Sequence, residues 1–183
     1  MAPRKIDSFG PDQLPVNLIA VAFGGIAIGG SVKLRLPPAI KILEALSAIG
    51  DGRVVVLDDK RAKVYSSDGS RVYRVYVDTQ QGIAYSDDNG TKYRKYIGYP
   101  IIAFLMIRGV LPFDEKLANV LKGIPWRKLN ETLRSYAAVE RIVKEIVKSR
   151  GVEPEVLDSF VSKVMNSLRS LELYLKDMGT AWS

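Results

Sequence analysis

Residues 53–97 read RVVVLDDKRAKVYSSDGSRVYRVYVDTQQGIAYSDDNGTKYRKYI, and this stretch decides the fold. Val- and Tyr-rich runs at 53–57, 62–66, 71–78, 83–87 and 91–97 are separated by Asp58-Asp59-Lys60-Arg61, Asp68-Gly69, Gln80-Gln81-Gly82 and Asn89-Gly90. Asp-Gly and Asn-Gly tolerate the tight mirror-image turns that join antiparallel neighbours, so the stretch predicts a β-meander.

Working outward, Pro37-Pro38 opens a helix with an apolar stripe at Ile40, Leu43, Leu46 and Ile49, and Gly50 stops it. Upstream, Gln13 to Val32 carries no charge and is long enough to raise a membrane helix. A period of two argues for strands instead: Ile26, Ile28, Val32, Leu34 and Leu36 alternate with small or charged residues, and Gly24-Gly25 suits a hairpin turn between strands at 16–23 and 26–36. Gly24 and Gly29 have the spacing of a phosphate loop, but Gly30 stands where its lysine belongs, so the hairpin is preferred.

Downstream of Tyr99 the texture turns helical. Pro100 begins an apolar helix to Ile107, Asp114 caps one at 115–122, a third runs from Pro125 without a breaker to about Ser149, and a fourth from Pro154 to about Met178. The sequence therefore predicts an α+β protein. A mostly antiparallel β part with one helix covers 1–99, and a helical bundle ending in a long antiparallel hairpin covers 100–183. No linker keeps the two parts from packing as one unit. Leu157, Val161, Val164, Leu168, Leu171 and Leu175 form one seam of that hairpin; Leu129, Leu133, Tyr136, Val143 and Val147 form the other.

Composition narrows the function. With no histidine and no cysteine, triad hydrolysis, thiol chemistry, disulfides and zinc sites with nitrogen or sulfur ligands are excluded. No cofactor motif and no resident metal site is expected. The lack of cysteine fits a cytoplasmic protein, and eight Asn and Gln beside 47 charged residues would suit one that works hot. The chain carries net +7, and its basic excess lies between residues 101 and 150. There Arg127, Arg134, Arg141 and Lys148 recur every seven residues, the footprint of a helix that meets phosphates.

Residues 117–129 also have the spacing of a helix-turn-helix element, whose second helix would present Trp126, Arg127, Lys128, Asn130 and Arg134, with Arg141, Lys144 and Lys148 extending the contact along the backbone. The expected partner is DNA or RNA, met through about 114–134 by a non-enzymatic protein. The competing interpretation is an ordinary solvated face, because Glu131 and Glu145 stand within pairing distance of the stripe. A second basic site is conceivable where seven of nine tyrosines, between 65 and 99, interleave with Arg71, Arg74, Lys92, Arg94 and Lys95, although tyrosine is also simply a good strand residue. Two alternatives stay open. The C-terminal helices could join a second copy or another protein, and Asp58-Asp59, Asp78 and Asp87-Asp88 could hold the Mg²⁺ or Mn²⁺ of a nuclease.

Overall fold

A computed structural model of the chain describes residues 31–176. The expected strand at 16–23, most of that at 26–36 and the Gly24–Gly29 segment lie outside the described residues. The described elements run β1 (Val32–Lys33), α1 (Ile40–Gly50), β2 (Val54–Val56), β3 (Arg61–Tyr65), β4 (Val72–Asp78) and β5 (Ile83–Ser86). They continue with α2 (Asn89–Lys92), α3 (Tyr99–Ile107), α4 (Glu115–Val120), α5 (Trp126–Leu133), α6 (Tyr136–Ser149), α7 (Pro154–Arg169) and β6 (Tyr174–Leu175). The fold is α+β, as the residue patterns predict.

The sheet order is β1-β6-β5-β4-β3-β2. β2 to β5 form the predicted antiparallel meander, with Gly69 and Gly82 at positive φ in two of its turns. Period-two alternation sends Ala62, Val64, Val75, Val77 and Ala84 to one buried face and Arg61, Lys63, Arg74 and Tyr76 to the other. α3 covers the buried face. It is apolar all round, with Pro100 to Met106 buried, because it is sandwiched between the sheet and α1. α1 in turn packs on α4 and α7, and Gly50 lets α1 and α4 approach so closely that a β-carbon there would strike the Ala118 carbonyl. Each fully buried Ile or Leu of this core, such as Ile42, Leu46 or Ile101, contributes roughly 1.5–3 kcal/mol.

Three expectations are corrected. The run 91–97 is not a strand. Asp88 caps the N-terminus of α2 by accepting from the backbone N–H groups of Gly90 (2.8 Å) and Thr91 (3.2 Å), so Asn89-Gly90 starts a helical turn instead of closing a hairpin. The end of the run lies parallel to Arg35 instead, in a bridge centred on Tyr96, with the Arg35 N–H on the Lys95 carbonyl (2.8 Å) and the Ile97 N–H on the Arg35 carbonyl (3.0 Å).

The helix predicted from Pro125 to Ser149 is two helices. Arg134 adopts a left-handed φ of 51°, and Ser135 caps α6 by accepting from the Ala138 N–H. The fourth helix ends at Arg169 rather than Met178, and Leu171, Leu173 and Leu175 alternate inward as the chain enters β6, parallel to β5 and antiparallel to β1.

Of the helical seam, Leu157, Val164, Leu168, Val143 and Val147 are buried within the chain. Among the described residues no helix is long and apolar enough to cross a membrane.

Candidate functional site

The break between α5 and α6 turns those helices toward the β3–β4 turn and α1, and a cleft of 710 Å³ opens there. Six cations line it: Lys41, Arg53, Arg71, Arg94, Arg127 and Arg134. Five aromatic side chains, Tyr73, Tyr96, Tyr99, Trp126 and Tyr136, line it with them, against three acids, Glu44, Asp88 and Glu131. The volume is that of an ordinary small-ligand or single-residue recognition site.

The cleft is held by identifiable bonds. Glu44 on α1 is buried, and its Oε1 accepts from Lys41 Nζ (2.7 Å) and from Asn130 Nδ2 (2.9 Å), which fixes α5 against α1. Lys41 Nζ also sits 5.0 Å over the Tyr136 ring. The Tyr96 and Tyr136 hydroxyls stand 3.4 Å apart, tying the segment after α2 to the start of α6.

Asp88 Oδ2 accepts from the Thr91 hydroxyl (2.7 Å), which itself accepts from the Gly98 N–H (3.1 Å). Gly90 and Gly98 have no room for a side chain, since a β-carbon would collide with the Tyr96 ring or the Asp88 carboxylate. Tyr73 and Tyr99 stack edge-to-face with centroids 6.0 Å apart. Burial pushes the Tyr96 and Tyr99 phenols well above their usual range, so both stay protonated donors.

Three buried side-chain atoms make no hydrogen bond among the described residues: Arg53 Nη2, Trp126 Nε1 and Asn130 Oδ1. All three belong to residues that line the cleft. Arg53 is otherwise well anchored, with Nε on Asp51 (3.0 Å) and Nη1 on the Tyr65 carbonyl (2.8 Å). The non-glycine residues with left-handed φ, Lys95 (56°) and Arg134 (51°), stand beside or in the same cleft. Such residues cost about 1 kcal/mol each and collect where function constrains the backbone.

The residues singled out from sequence are distributed unevenly. Trp126 is 3% exposed, and Arg127 donates to Asp68 (2.9 Å), to Glu131 (2.8 Å) and to the Ser70 hydroxyl, which binds α5 to the β3–β4 turn. The Ser66 hydroxyl above all, then the Ser70 hydroxyl and N–H and the Arg127 charge, hold the Asp68 carboxyl far below the ordinary range. Asn130 is spent on Glu44 through its amide nitrogen. Arg134 lines the cleft, while Lys128 lies on an adjoining shallow surface.

Arg141 and Lys148 are exposed on α6, so the four-residue stripe is not one helical ridge. Lys144 pairs with Glu140 (3.0 Å) and Asp158 (2.8 Å), joining α6 to α7. α4 packs on α1 and α5 on α6. The tyrosine-rich region divides: Tyr73, Tyr96, Tyr99, Arg71 and Arg94 enter the cleft, and Tyr76 and Arg74 take the opposite sheet face. Lys92 and Lys95 line neither, Lys95 donating to the Lys92 carbonyl.

The candidate metal carboxylates are spread out, and four of the five are engaged. Asp58 binds Arg61, Asp78 binds Lys60, Asp87 binds Arg74 and Asp88 caps α2. Among the described residues no group of three or more acidic side chains is placed to hold a metal ion. Sequence reasoning missed Lys41, Glu44 and Arg53. Glu44 carried a signal, a carboxylate set among Ile42, Leu43, Ala45 and Leu46 in an apolar helix.

The molecule is thus an α+β protein with a basic, aromatic-lined cleft between its sheet and its helices. Residues 34–174 match the family model described as Uncharacterised conserved protein UCP014422, and the chain belongs to that family. Comparison with curated proteins and with solved structures finds no match in either.

Proposed function

We propose that the chain is a non-enzymatic, cytoplasmic nucleic-acid-binding protein that takes a single strand into this cleft. The observation that carries the reading is the convergence of the two basic regions of the sequence on one concavity, where Arg71 and Arg94 from the first half face Arg127 and Arg134 from the second. Arg71, Arg94 and Arg134 have no acidic partner among the described residues, so their charge remains available to phosphates. The half-buried rings of Tyr73, Tyr99 and Tyr136 supply surface on which unpaired bases stack, with each stacked base worth about 1–3 kcal/mol.

A recognition helix lying in a major groove fits less well, because Trp126, Arg127 and Asn130 already hold α5 to the protein. Titration of labelled single-stranded and duplex oligonucleotides at rising salt tests the proposal. Single strands bind more tightly, and log affinity falls with log salt by about 0.7 for each phosphate met by a cation. No binding at low salt, or equal binding of blunt duplex, would overturn it.

A further inference from the structure

A group of cations and one open ring stands at the end of α2, beside the cleft. Lys92, Tyr93 and Arg94 are consecutive and exposed, Lys95 follows at its left-handed φ of 56°, and Arg35 meets them from the parallel bridge. Arg35 donates its backbone N–H to the Lys95 carbonyl (2.8 Å) and its Nη2 to the Arg94 carbonyl (2.5 Å), while Lys95 Nζ donates to the Lys92 carbonyl (2.7 Å). Those acceptors are neutral, so the bonds place the cations without cancelling their charge. None of Arg35, Lys92, Arg94 and Lys95 has an acid partner among the described residues.

Burial does not account for Tyr93. It is 67% exposed, the most open of the large apolar side chains among the described residues, and Lys92 Nζ stands 5.4 Å from its ring centroid. Arg94 belongs to both places, since it lines the cleft and its carbonyl is held by Arg35. We propose that a bound single strand continues out of the cleft past Arg94 onto this shelf, where one unpaired base stacks on Tyr93 and Arg35, Lys92 and Lys95 meet the neighbouring phosphates. The inference rests on the single-strand reading above and adds an outer contact that only a longer strand can reach. Exposed cations alone would suit any polyanion, and the open ring beside them favours one that carries planar bases.

The test compares oligothymidylates of about three and about ten nucleotides, short and long on the scale of single-strand sites, by fluorescence anisotropy. Tyr93→Ala weakens the longer strand roughly tenfold, the scale of one stacked base, and leaves the shorter strand unchanged. Tyr93→Phe keeps the ring and keeps the affinity. Lys92→Gln combined with Lys95→Gln lowers the salt slope of the longer strand by about 1.4, at about 0.7 for each phosphate contact, and leaves that of the shorter strand as it was. Because Tyr93 is mostly exposed, its replacement leaves a denaturant melt unchanged.

A polyglutamate peptide offers charge without bases, so its affinity does not respond to Tyr93→Ala. Equal effects of Tyr93→Ala on both strand lengths, or none on either, would overturn this inference and leave binding in the cleft standing. Loss of the affinity in Tyr93→Phe overturns it too, and a matching loss for polyglutamate points to an acidic protein partner instead. Absence of any strand binding at low salt brings down both readings.

Discussion

Two surfaces of this protein combine tyrosines with basic residues, and they do opposite things with them. On the sheet face turned away from α3, Arg61 pairs with Asp58, Lys60 with Asp78, and Arg74 with Asp87. Those cations neutralise turn and strand carboxylates and serve the sheet. In the cleft, Lys41, Arg53 and Arg127 are bound to acids that set the walls, while Arg71, Arg94 and Arg134 have no acid partner among the described residues. Composition does not separate the two. Among the described residues, what distinguishes the cleft is that three guanidinium groups without an acid partner gather on one concavity, where the residues with buried unmatched polar atoms also lie.

That contrast can be broken by charge reversal. Changing Arg71, Arg94 and Arg134 together to Glu reduces single-strand affinity about a hundredfold at low salt and lowers the salt slope by roughly two, the yield of three phosphate contacts. Lys63→Glu on the opposite sheet face changes affinity less than about twofold. Equal losses from the two variants, measured by fluorescence anisotropy, would erase the distinction.

A smaller effect sharpens it from the side of structure. Gly98→Ala drives a methyl group into the Asp88 carboxylate that caps α2, so it destabilises the fold by about 2 kcal/mol and weakens strand binding at temperatures where the protein is still folded. Denaturant melts and binding curves on the same sample read both consequences.

The smallest effect concerns the sheet alone. Asp78 accepts from Lys60 Nζ (2.8 Å) and from the N–H groups of Gln80 (3.1 Å) and Gln81 (3.0 Å). Its carboxyl is held below the ordinary range, first by the Lys60 hydrogen bond and then by that from Gln81. A depressed folded-state value means that the unfolded chain binds the proton first, so the contribution is complete above the usual aspartate range and is lost as pH falls through the folded value. Asp78→Asn costs about 1 kcal/mol at neutral pH, and its deficit against the parent shrinks in acid, with strand binding unchanged. A deficit that stays constant down to strong acid contradicts the assignment.

Much of the architecture is legible in the residues because it rests on local periods. The alternation of β3 and β4, the Asp68-Gly69 and Gly82 turns, and the stops at Gly50, Gly109 and Gly151 all correspond to observed element boundaries. The misread places are those where a side chain overrides a local pattern. Asp88 converts an apparent hairpin turn into a helix start, and Ser135 caps a new helix inside an unbroken helical run. Leu171, Leu173 and Leu175 fit a strand as well as a seam, and pairing with β5 decides between them.

Half of the cleft was visible as residue types: Trp126, Arg127, Asn130 and Arg134 on one side, and the tyrosines with Arg71 and Arg94 on the other. Their meeting was not, since it depends on the turn at Arg134 and on Glu44 joining Lys41 to Asn130 across the core. No local signal specifies a contact between residues that lie so far apart in the chain.

The most direct test is to photo-cross-link a single strand carrying 5-iodouracil and to identify the attached residues by mass spectrometry. The account predicts adducts at Tyr73 or Tyr136, lost when Arg71, Arg94 and Arg134 are reversed. Adducts confined to Tyr65, Tyr76 and Tyr85 on the other sheet face would contradict it.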